Sequence, residues 1–144
     1  LEILERAGYR PDAVILLQPT SPLRFPNSID DAIDRFEKSG ADSLVGAVEI
    51  HWFSWRLPNG PDGDAVPEYN FRKRPRRQDI PAADRRYREN GSIYITKTSI
   101  LEGSGNRLGG RIILFEMDAT ESHEIDSLVD FHIVEELMKV KPSV

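Results

Sequence analysis

The chain contains no cysteine, and this absence excludes two classes of site. Without thiols there are no disulfides and no thiolate-bound metals, which fits a reducing compartment such as the cytoplasm. The three histidines, His51, His123 and His132, are too widely spaced in the sequence to suggest a histidine-based zinc site. No apolar run reaches the length of a membrane span, so we expect a cytoplasmic protein with no membrane partner.

The 144 residues suit a single domain, and the net charge of −5 conceals two segments of opposite sign. Eight of the 19 basic residues fall within 72–88, and eight acidic residues fall within 116–136. Such segments suit joint binding of an anionic substrate and a cation, although two solvated surfaces would explain the same distribution. Because the total charge is acidic and few aromatic residues accompany the basic segment, we expect no nucleic-acid partner.

Strand and helix patterns alternate along the chain. An apolar run at 12–17 predicts a strand buried on both faces, the pattern at 27–40 predicts an amphipathic helix, and 42–48 predicts another buried strand. A strand, a helix and a strand joined by short links form a βαβ unit with parallel strands. Further strands are predicted at 91–97 and 111–118. The pattern indicates an α/β domain whose sheet is parallel at first and mixed later.

Two serine-to-aspartate spacings predict where helices begin. Ser28 and Asp31 would cap the helix at 27–40, and Ser127 and Asp130 would cap a final helix over 127–140. Five apolar residues at helical spacing are predicted to form the buried side of that final helix: Leu128, Phe131, Val134, Leu137 and Met138.

The stretch LLQPTSPLR, residues 16–24, follows the first predicted strand. In open α/β sheets ligands bind beyond the carboxyl ends of the strands, and Gln18 lies at such an end. Pro19 and Pro22 stiffen its surroundings, so Gln18 would lose little conformational freedom on binding a ligand. The alternative is a proline turn in which Gln18 only caps free backbone groups of the strand.

The stretch RPRRQDIP, residues 74–81, places several arginines on a loop interrupted by proline. Arginine binds carboxylates and phosphates through two parallel N–H donors, which makes this loop a candidate for anion binding. A solvated loop, or a basic segment of the nuclear-localisation or nucleic-acid type, would also account for the pattern.

The stretch YRENGSIYI, residues 87–95, contains Asn90 and Gly91, which predict a turn immediately before a strand. Ser92 and Tyr94 are two residues apart in that strand, so they would point to the same face. Without further context the pattern favours the start of a hairpin strand, with Tyr94 as a core residue.

The stretch ESHEIDSLVDF, residues 121–131, contains two acids, Glu124 and Asp126, that project to the same side if the backbone is extended. Two neighbouring carboxylates suit Mg²⁺ that is shared with phosphate oxygens. The alternative is structural, because an acid near the start of the final helix is favoured by the helix dipole alone.

Together and in this order, the four stretches resemble the motifs of the acylneuraminate cytidylyltransferase family, the CMP-sialic acid synthetases, from Ala13 to Leu137. The resemblance implies a three-layer α/β/α fold of the nucleotide-diphospho-sugar-transferase type, Rossmann-like with a mixed sheet, as a single domain over 1–144. It also implies a nucleotidyltransferase that uses CTP and Mg²⁺ to activate sialic acid, an acidic nine-carbon sugar, and releases pyrophosphate. The resemblance further implies a homodimer, because members of the family pair.

The resemblance also assigns roles to residues. It implies that Gln18 hydrogen-bonds the sugar and that Asn90 and Tyr94 line the sugar pocket. It implies that Arg77 engages the anionic substrate. Asp126, the predicted catalytic residue, would hold Mg²⁺ on the triphosphate together with Glu124. Such a site works by positioning and charge neutralisation, which is what transfer of a phosphoryl-type group requires.

The chain departs from the family pattern in three places. Glu124 stands where some members have aspartate, and Trp52 follows His51 where others tend to have proline. The family's glycine-, arginine- and lysine-containing nucleotide loop would precede Leu1 and has no counterpart here. We therefore expect a sheet that is incomplete at its N-terminus, corresponding to the C-terminal two thirds of the family's domain, and no catalysis by this chain alone.

Two other functions remain open from the sequence. One is CMP-activation of a different acidic sugar, such as legionaminic, pseudaminic or an eight-carbon ulosonic acid. The other is a non-catalytic remnant or interaction domain that uses the same surface for binding.

Overall fold

A computed structural model describes residues 1–51 and 53–140. The described residues form an α/β arrangement with four helices and six strands. The helices are α1 (Glu2–Arg6), α2 (Ser28–Ser39), α3 (Thr98–Ser104) and α4 (Leu128–Lys139). The strands are β1 (Ala13–Leu16), β2 (Ser43–Ile50), β3 (Trp55–Arg56), β4 (Val66–Pro67), β5 (Arg86–Lys97) and β6 (Ile112–Glu116). Short 3-10 turns lie at Phe71–Lys73, Arg77–Asp79, Ala82–Asp84 and Thr120–Ser122.

The chain divides into two compact units. The first, which we call the sheet unit, comprises the described residues of 1–48 and 88–140, and the second, the loop unit, comprises those of 49–87. The prediction of a single domain over 1–144 stays a prediction, as does the three-layer transferase-type fold. In the part of the chain that the structure describes, no helix is both long and apolar enough to cross a membrane.

The main sheet is mixed and has the strand order β1-β5-β2-β6. Strand β2 pairs with β6 in parallel, and β1 pairs with β5 in the antiparallel sense. The Lys97 N–H donates to the Asp42 carbonyl at 3.0 Å, so the end of β5 lies beside the start of β2. The prediction of a mixed sheet is confirmed.

Strand β1 differs from its prediction in burial. The sequence predicts a strand covered on both faces, but Ile15 and Leu16 are exposed. The reason lies in the order of the sheet, because β5 inserts between β1 and β2, and β1 has a neighbour on one side only among the described residues. An apolar run therefore does not distinguish a central strand from an edge strand.

The core lies between α2 and the sheet. Ala32 and Phe36 of α2 form one buried cluster with Leu44 of β2 and with Ile93 and Ile95 of β5. This packing stabilises the α2 helix through its apolar face, which the sequence pattern predicts correctly.

The start of α2 corrects a prediction. Asn27 is the N-cap residue and makes no side-chain capping bond, while the Ser28 hydroxyl donates to the Glu121 carboxylate instead. A tertiary contact thus takes the hydroxyl that the S-x-x-D spacing assigns to a cap. At the other end, Gly40 adopts a left-handed conformation with φ 65°, which ends the helix as predicted.

Strand β5 begins five residues earlier than the predicted 91–97, at Arg86. Asn90 and Gly91 consequently lie inside the strand and are buried, which corrects the prediction of a turn before it. Gly91 nevertheless has a φ of 64°, a value that glycine adopts without strain. The Asn-Gly pair therefore marks a local distortion within a long strand.

Helix α4 confirms its predicted cap and corrects its predicted buried side. The Ser127 hydroxyl accepts from the Asp130 N–H, and the Asp130 carboxylate accepts from the Ser127 N–H at 2.8 Å. Of the five residues predicted to be buried, Val134 is, and Leu137 is half-buried. The other three are exposed, namely Leu128, Phe131 and Met138.

Candidate functional site

The first predicted motif forms a turn after β1, which we call the β1 turn (residues 17–25). The Ser21 N–H donates to the Gln18 carbonyl at 3.2 Å and closes the turn. The Arg24 guanidinium donates to the Ser92 carbonyl at 2.8 Å and to the Gln18 carbonyl at 3.3 Å. Burial lowers the pKa of Arg24 and the charge of Glu121 opposes that effect, but an arginine stays charged. The turn is therefore fixed to β5 by a half-buried cation.

Three polar side chains converge on the bare backbone of Gly91. A Cβ at this position would lie 2.6 Å from Gln18 Oε1, 2.8 Å from Ser21 Oγ and 3.3 Å from Glu124 Oε2. The three side chains come from the β1 turn and from the segment before α4. Glycine at 91 therefore lets two distant motifs approach the same point of β5.

The segment before α4, which we call the acidic loop (residues 118–126), is bonded to both other motifs. The Ile125 N–H donates to the Thr20 carbonyl at 2.8 Å, which places Glu124 and Asp126 beside the β1 turn. The Asn90 amide donates to the Ser122 hydroxyl at 3.0 Å. Because Asn90 is fully buried, its described contacts are with the protein, and they anchor the acidic loop to β5.

The two acids of the predicted metal pair stand in different surroundings. Glu124 is half-buried and accepts from the Arg88 guanidinium at 2.7 Å. Asp126 is exposed, and within residues 1–51 and 53–140 its carboxylate makes no ion pair or hydrogen bond. The Asp126 N–H donates to the Asp130 carboxylate at 3.2 Å, so the capping box of α4 also holds the backbone of Asp126.

The donor set of these acids is compatible with magnesium. Mg²⁺ in proteins is often held by one or two carboxylates, with water and substrate phosphates completing its shell. Asp126 offers a carboxylate that the described residues leave available, and Glu124 offers a second one if Arg88 releases it. Among the described residues no group of three or more His, Asp or Glu side chains forms a ready metal cage.

Tyr94 lies in β5 with its ring buried. Its hydroxyl donates to the Glu89 carboxylate at 3.1 Å, and the Arg107 guanidinium carbon lies 4.4 Å from the ring centre. Burial raises the pKa of Tyr94, and the hydrogen bond to Glu89 adds to the effect. The phenol is therefore neutral at physiological pH.

Arg77, the predicted anion-binding residue, belongs to the loop unit and is exposed at the start of the turn Arg77–Asp79. The structure thus brings together Gln18, Asn90 and Glu124 in the sheet unit, with Asp126 beside them. Trp52, at which the sequence departs from the family pattern, lies outside the described residues.

Three charged residues of this region were not predicted as site residues: Arg24, Arg88 and Glu121. Glu121 is buried and accepts from the Phe25 N–H at 2.8 Å as well as from Ser28, so it connects the acidic loop to the β1 turn. In the sequence, Arg88 and Glu121 stand out only as members of the basic and acidic segments. Their partners are far away along the chain, so spacing alone gives no indication of their roles.

The chain is similar over most of its length to curated proteins that are named as a cytidylyltransferase or a CMP-sugar synthase. It is 33% identical over 127 residues to N-acylneuraminate cytidylyltransferase A of Danio rerio, a match that covers 87% of this chain and 29% of the relative. It is 32% identical over 134 residues to CMP-N,N'-diacetyllegionaminic acid synthase of Legionella pneumophila, covering 90% of this chain and 55% of the relative. The chain belongs to the acylneuraminate cytidylyltransferase family.

The chain is also 34% identical over 133 residues to post-translational flagellin modification protein B of Campylobacter coli, and this match covers 90% of the chain. The chain spans 29% to 55% of the length of the curated relatives described here. A scan against protein-family models gave no match.

Proposed function

We propose that this chain forms the sugar-side part of a cytidylyltransferase that joins an acidic nine-carbon sugar, sialic acid or a close relative, to CMP. The observation that carries the proposal is the bond from the Ile125 N–H to the Thr20 carbonyl, 2.8 Å long, which joins the acidic loop to the β1 turn. It brings a hydrogen-bonding amide, Gln18, close to two carboxylates. In the proposed reaction, the amide would bind the sugar and the carboxylates would bind the metal of the triphosphate, so the two substrates would lie next to each other.

The reaction needs no covalent catalysis by the protein. The anomeric oxygen of the sugar forms a bond to the α-phosphorus of CTP, the bond from that phosphorus to the bridging oxygen breaks, and pyrophosphate leaves. The proton of the anomeric hydroxyl passes to solvent. The site contributes mainly by orienting the sugar oxygen in line with the leaving group.

Each residue has a role in that orientation. Gln18 hydrogen-bonds the sugar, while the buried Asn90 supports the site by holding the acidic loop against β5. Asp126 and Glu124 would hold Mg²⁺, which neutralises charge on the triphosphate when it is bound. For Arg77, the role in binding the anionic substrate that the family resemblance implies stays a prediction.

Two sugars are candidates for the substrate. The Danio rerio relative is named for N-acylneuraminate and the Legionella pneumophila relative for N,N'-diacetyllegionaminic acid, at nearly the same identity to this chain. Both sugars carry a carboxylate at C1, so the same basic side chains would serve either. We place the protein in the cytoplasm, where CTP is available.

We further propose that the protein acts as a homodimer through the loop unit. Trp55 and Phe71 are both about half exposed, and their rings lie 6.1 Å apart. Exposed, contiguous aromatic side chains are typical of surfaces that associate. Sedimentation of the double variant Trp55→Ser/Phe71→Ser should show a monomer where the parent shows a dimer, and a monomeric parent would contradict the proposal.

Calorimetric titration tests whether the chain binds the proposed substrates. CTP with Mg²⁺ should bind the chain, and N-acetylneuraminate or N,N'-diacetyllegionaminate should bind in the presence of CTP. The Asp126→Asn variant should bind Mg·CTP at least about 10-fold more weakly, because a metal ligand is lost. The Asp34→Asn variant, which alters an exposed acid of α2 paired with Lys38, is the matched control. Binding of neither CTP nor sugar would favour a non-catalytic interaction domain.

A further inference from the structure

The ring of Tyr94 is covered by an arginine that the sequence motifs do not include. Tyr94 is only 3% exposed, and the Arg107 guanidinium carbon stands 4.4 Å from its ring centre. Strand alternation puts Tyr94 on the opposite face of β5 from Ile93 and Ile95, which pack with α2 in the core. A ligand that approaches this face therefore meets the guanidinium of Arg107 before it meets the phenol.

Arg107 is held in place by its backbone as well as by the ring. It lies on the connection between α3 and β6, and its carbonyl accepts from the hydroxyl of Thr96, two residues beyond Tyr94 in β5. The same strand thus fixes the backbone of Arg107 through Thr96 and its guanidinium through Tyr94. Stacking on an aromatic ring limits the rotamers of arginine, so little freedom remains to be lost on binding.

The donors of Arg107 remain available to a ligand. The residue is exposed, and within residues 1–51 and 53–140 its guanidinium takes part in no hydrogen bond or ion pair. By contrast, Arg88 is paired with Glu124 and Arg24 with backbone carbonyls. Arg107 is thus an arginine stacked on a predicted wall of the sugar pocket, and its donors bond to no acceptor among the described residues.

We propose that Arg107 is a specificity-determining residue that binds the C1 carboxylate of the acidic sugar. The inference rests on the proposed function and names the group that selects the substrate class at that site. Guanidinium and carboxylate match in geometry, because two parallel N–H donors meet two oxygens. Tyr94 then acts as a positioning residue that orients Arg107.

The charges around Tyr94 are consistent with this role. Glu89 accepts from the Tyr94 hydroxyl and Glu124 is paired with Arg88, so both of these acids have partners of their own. Neither carboxylate lies within ion-pair distance of Arg107 among the described residues. An incoming carboxylate that binds Arg107 therefore displaces no salt bridge of the residues that the structure describes.

The test compares N-acetylneuraminate with its methyl ester, in which the carboxylate has lost its charge. Both are titrated into the chain with CTP and Mg²⁺ present. We expect the parent chain to prefer the acid by about 10- to 100-fold, the usual effect of a charge-assisted hydrogen-bonded pair. The Arg107→Gln variant should lose that preference, and Arg107→Lys should retain part of it because it keeps the charge without the paired donors.

The Arg111→Gln variant is the matched control. Arg111 is also exposed and lies four residues further along, but its guanidinium donates to the Ser39 carbonyl at 2.6 Å. Its loss removes the same net charge and should leave the acid-to-ester preference unchanged. Far-ultraviolet circular dichroism checks that the variants are folded, and CTP binding should be equal in all folded variants.

The outcomes separate the two proposals. If the parent prefers the acid and Arg107→Gln keeps that preference, the role of Arg107 is wrong while the proposed function stands. If the parent binds both forms equally, the carboxylate is not recognised and the inference is again wrong. If the parent binds neither form but binds CTP, the proposed sugar activation fails, and the inference fails with it.

Discussion

The sheet unit and the loop unit differ in where they place their large apolar side chains. Every residue of the buried hydrophobic core belongs to the sheet unit, and none of the described residues of 49–87 is buried. The loop unit instead brings its aromatic residues together near the surface, where Arg74 stacks on Phe53 at 4.1 Å. One unit is stabilised by apolar burial, whereas the other depends on contacts that water can reach. The comparison indicates that the sheet unit carries most of the stability of the chain.

The largest expected difference between the two units is in the stability lost when an apolar side chain is truncated to alanine. Ile93→Ala removes a fully buried side chain of β5 and should lower the free energy of unfolding by about 2–5 kcal/mol. Leu57→Ala in the loop unit, where Leu57 is 50% exposed, should change it by no more than about 0.5 kcal/mol. Urea denaturation followed by far-ultraviolet circular dichroism measures both. Equal losses would show that the loop unit has a core of its own.

A pair of glycines tests the close approach at β5. Gly91 and Gly60 both have positive φ, but a Cβ at 60 would meet nothing within 4 Å, whereas one at 91 would meet Gln18 and Ser21. Both alanine variants incur a left-handed backbone cost, and Gly91→Ala should lose about 1–3 kcal/mol more because of overpacking. Thermal unfolding compares the two variants. A similar loss in both would mean that the β1 turn moves aside freely.

Helix capping gives a smaller contrast. Ser127→Ala removes the N-cap of the twelve-residue helix α4 and should cost about 1 kcal/mol. Asn70 accepts from the Lys73 N–H in the loop unit in the same way, but its turn has only three residues. Asn70→Ala should therefore cost less than about 0.5 kcal/mol. Chemical denaturation of both variants checks the order, and the reverse order would contradict it.

The smallest expected effect concerns pH and belongs to the sheet unit. The hydroxyl of Ser127 and backbone N–H groups hold the pKa of Asp130 below its usual value. A carboxylate with a lowered folded-state pKa stabilises the protein above its unfolded pKa of about 3.9, and this contribution is lost as pH falls through the folded value.

The Asp130→Asn variant should lack the stability that the ionised Asp130 contributes. Its melting temperature should therefore approach that of the parent below about pH 4. Ser127→Ala should reduce the same contribution in part, because it removes the main cause of the shift. Calorimetric scans between acidic and neutral pH measure the difference. A constant gap between parent and Asp130→Asn at all pH values would contradict the assignment.

Local patterns in the sequence predicted the bounds of the helices better than they predicted which elements lie next to one another. The bounds of α2 and α4 and the cap at Ser127 follow from spacing within one segment, and the structure agrees with them. The edge position of β1 depends on which strand inserts beside it, and no local pattern contains that information. For the same reason Ser28, which reads as a cap, bonds to Glu121 instead.

The residues of the candidate site also differ in whether the sequence alone reveals them. Gln18, Glu124 and Asp126 stand out in the sequence because their residue types suit a ligand at the end of a strand. Arg107 does not, since only the fold reveals that its guanidinium lies over Tyr94. The role of a charged side chain depends on the groups that it contacts, and in this site those groups belong to separate segments of the chain.

The bonds that fix the β1 turn also have a consequence for how the protein folds. Arg24 reaches a carbonyl 68 residues away, and the Phe25 N–H reaches a carboxylate 96 residues away. Contacts of such separation form late, because a long loop must close before they contribute any energy. A peptide of residues 12–26 should therefore not hold Gln18 in place, despite its prolines. The ligand-binding geometry is then acquired together with the final tertiary structure, so ligand affinity in a refolding experiment would report completion of the fold.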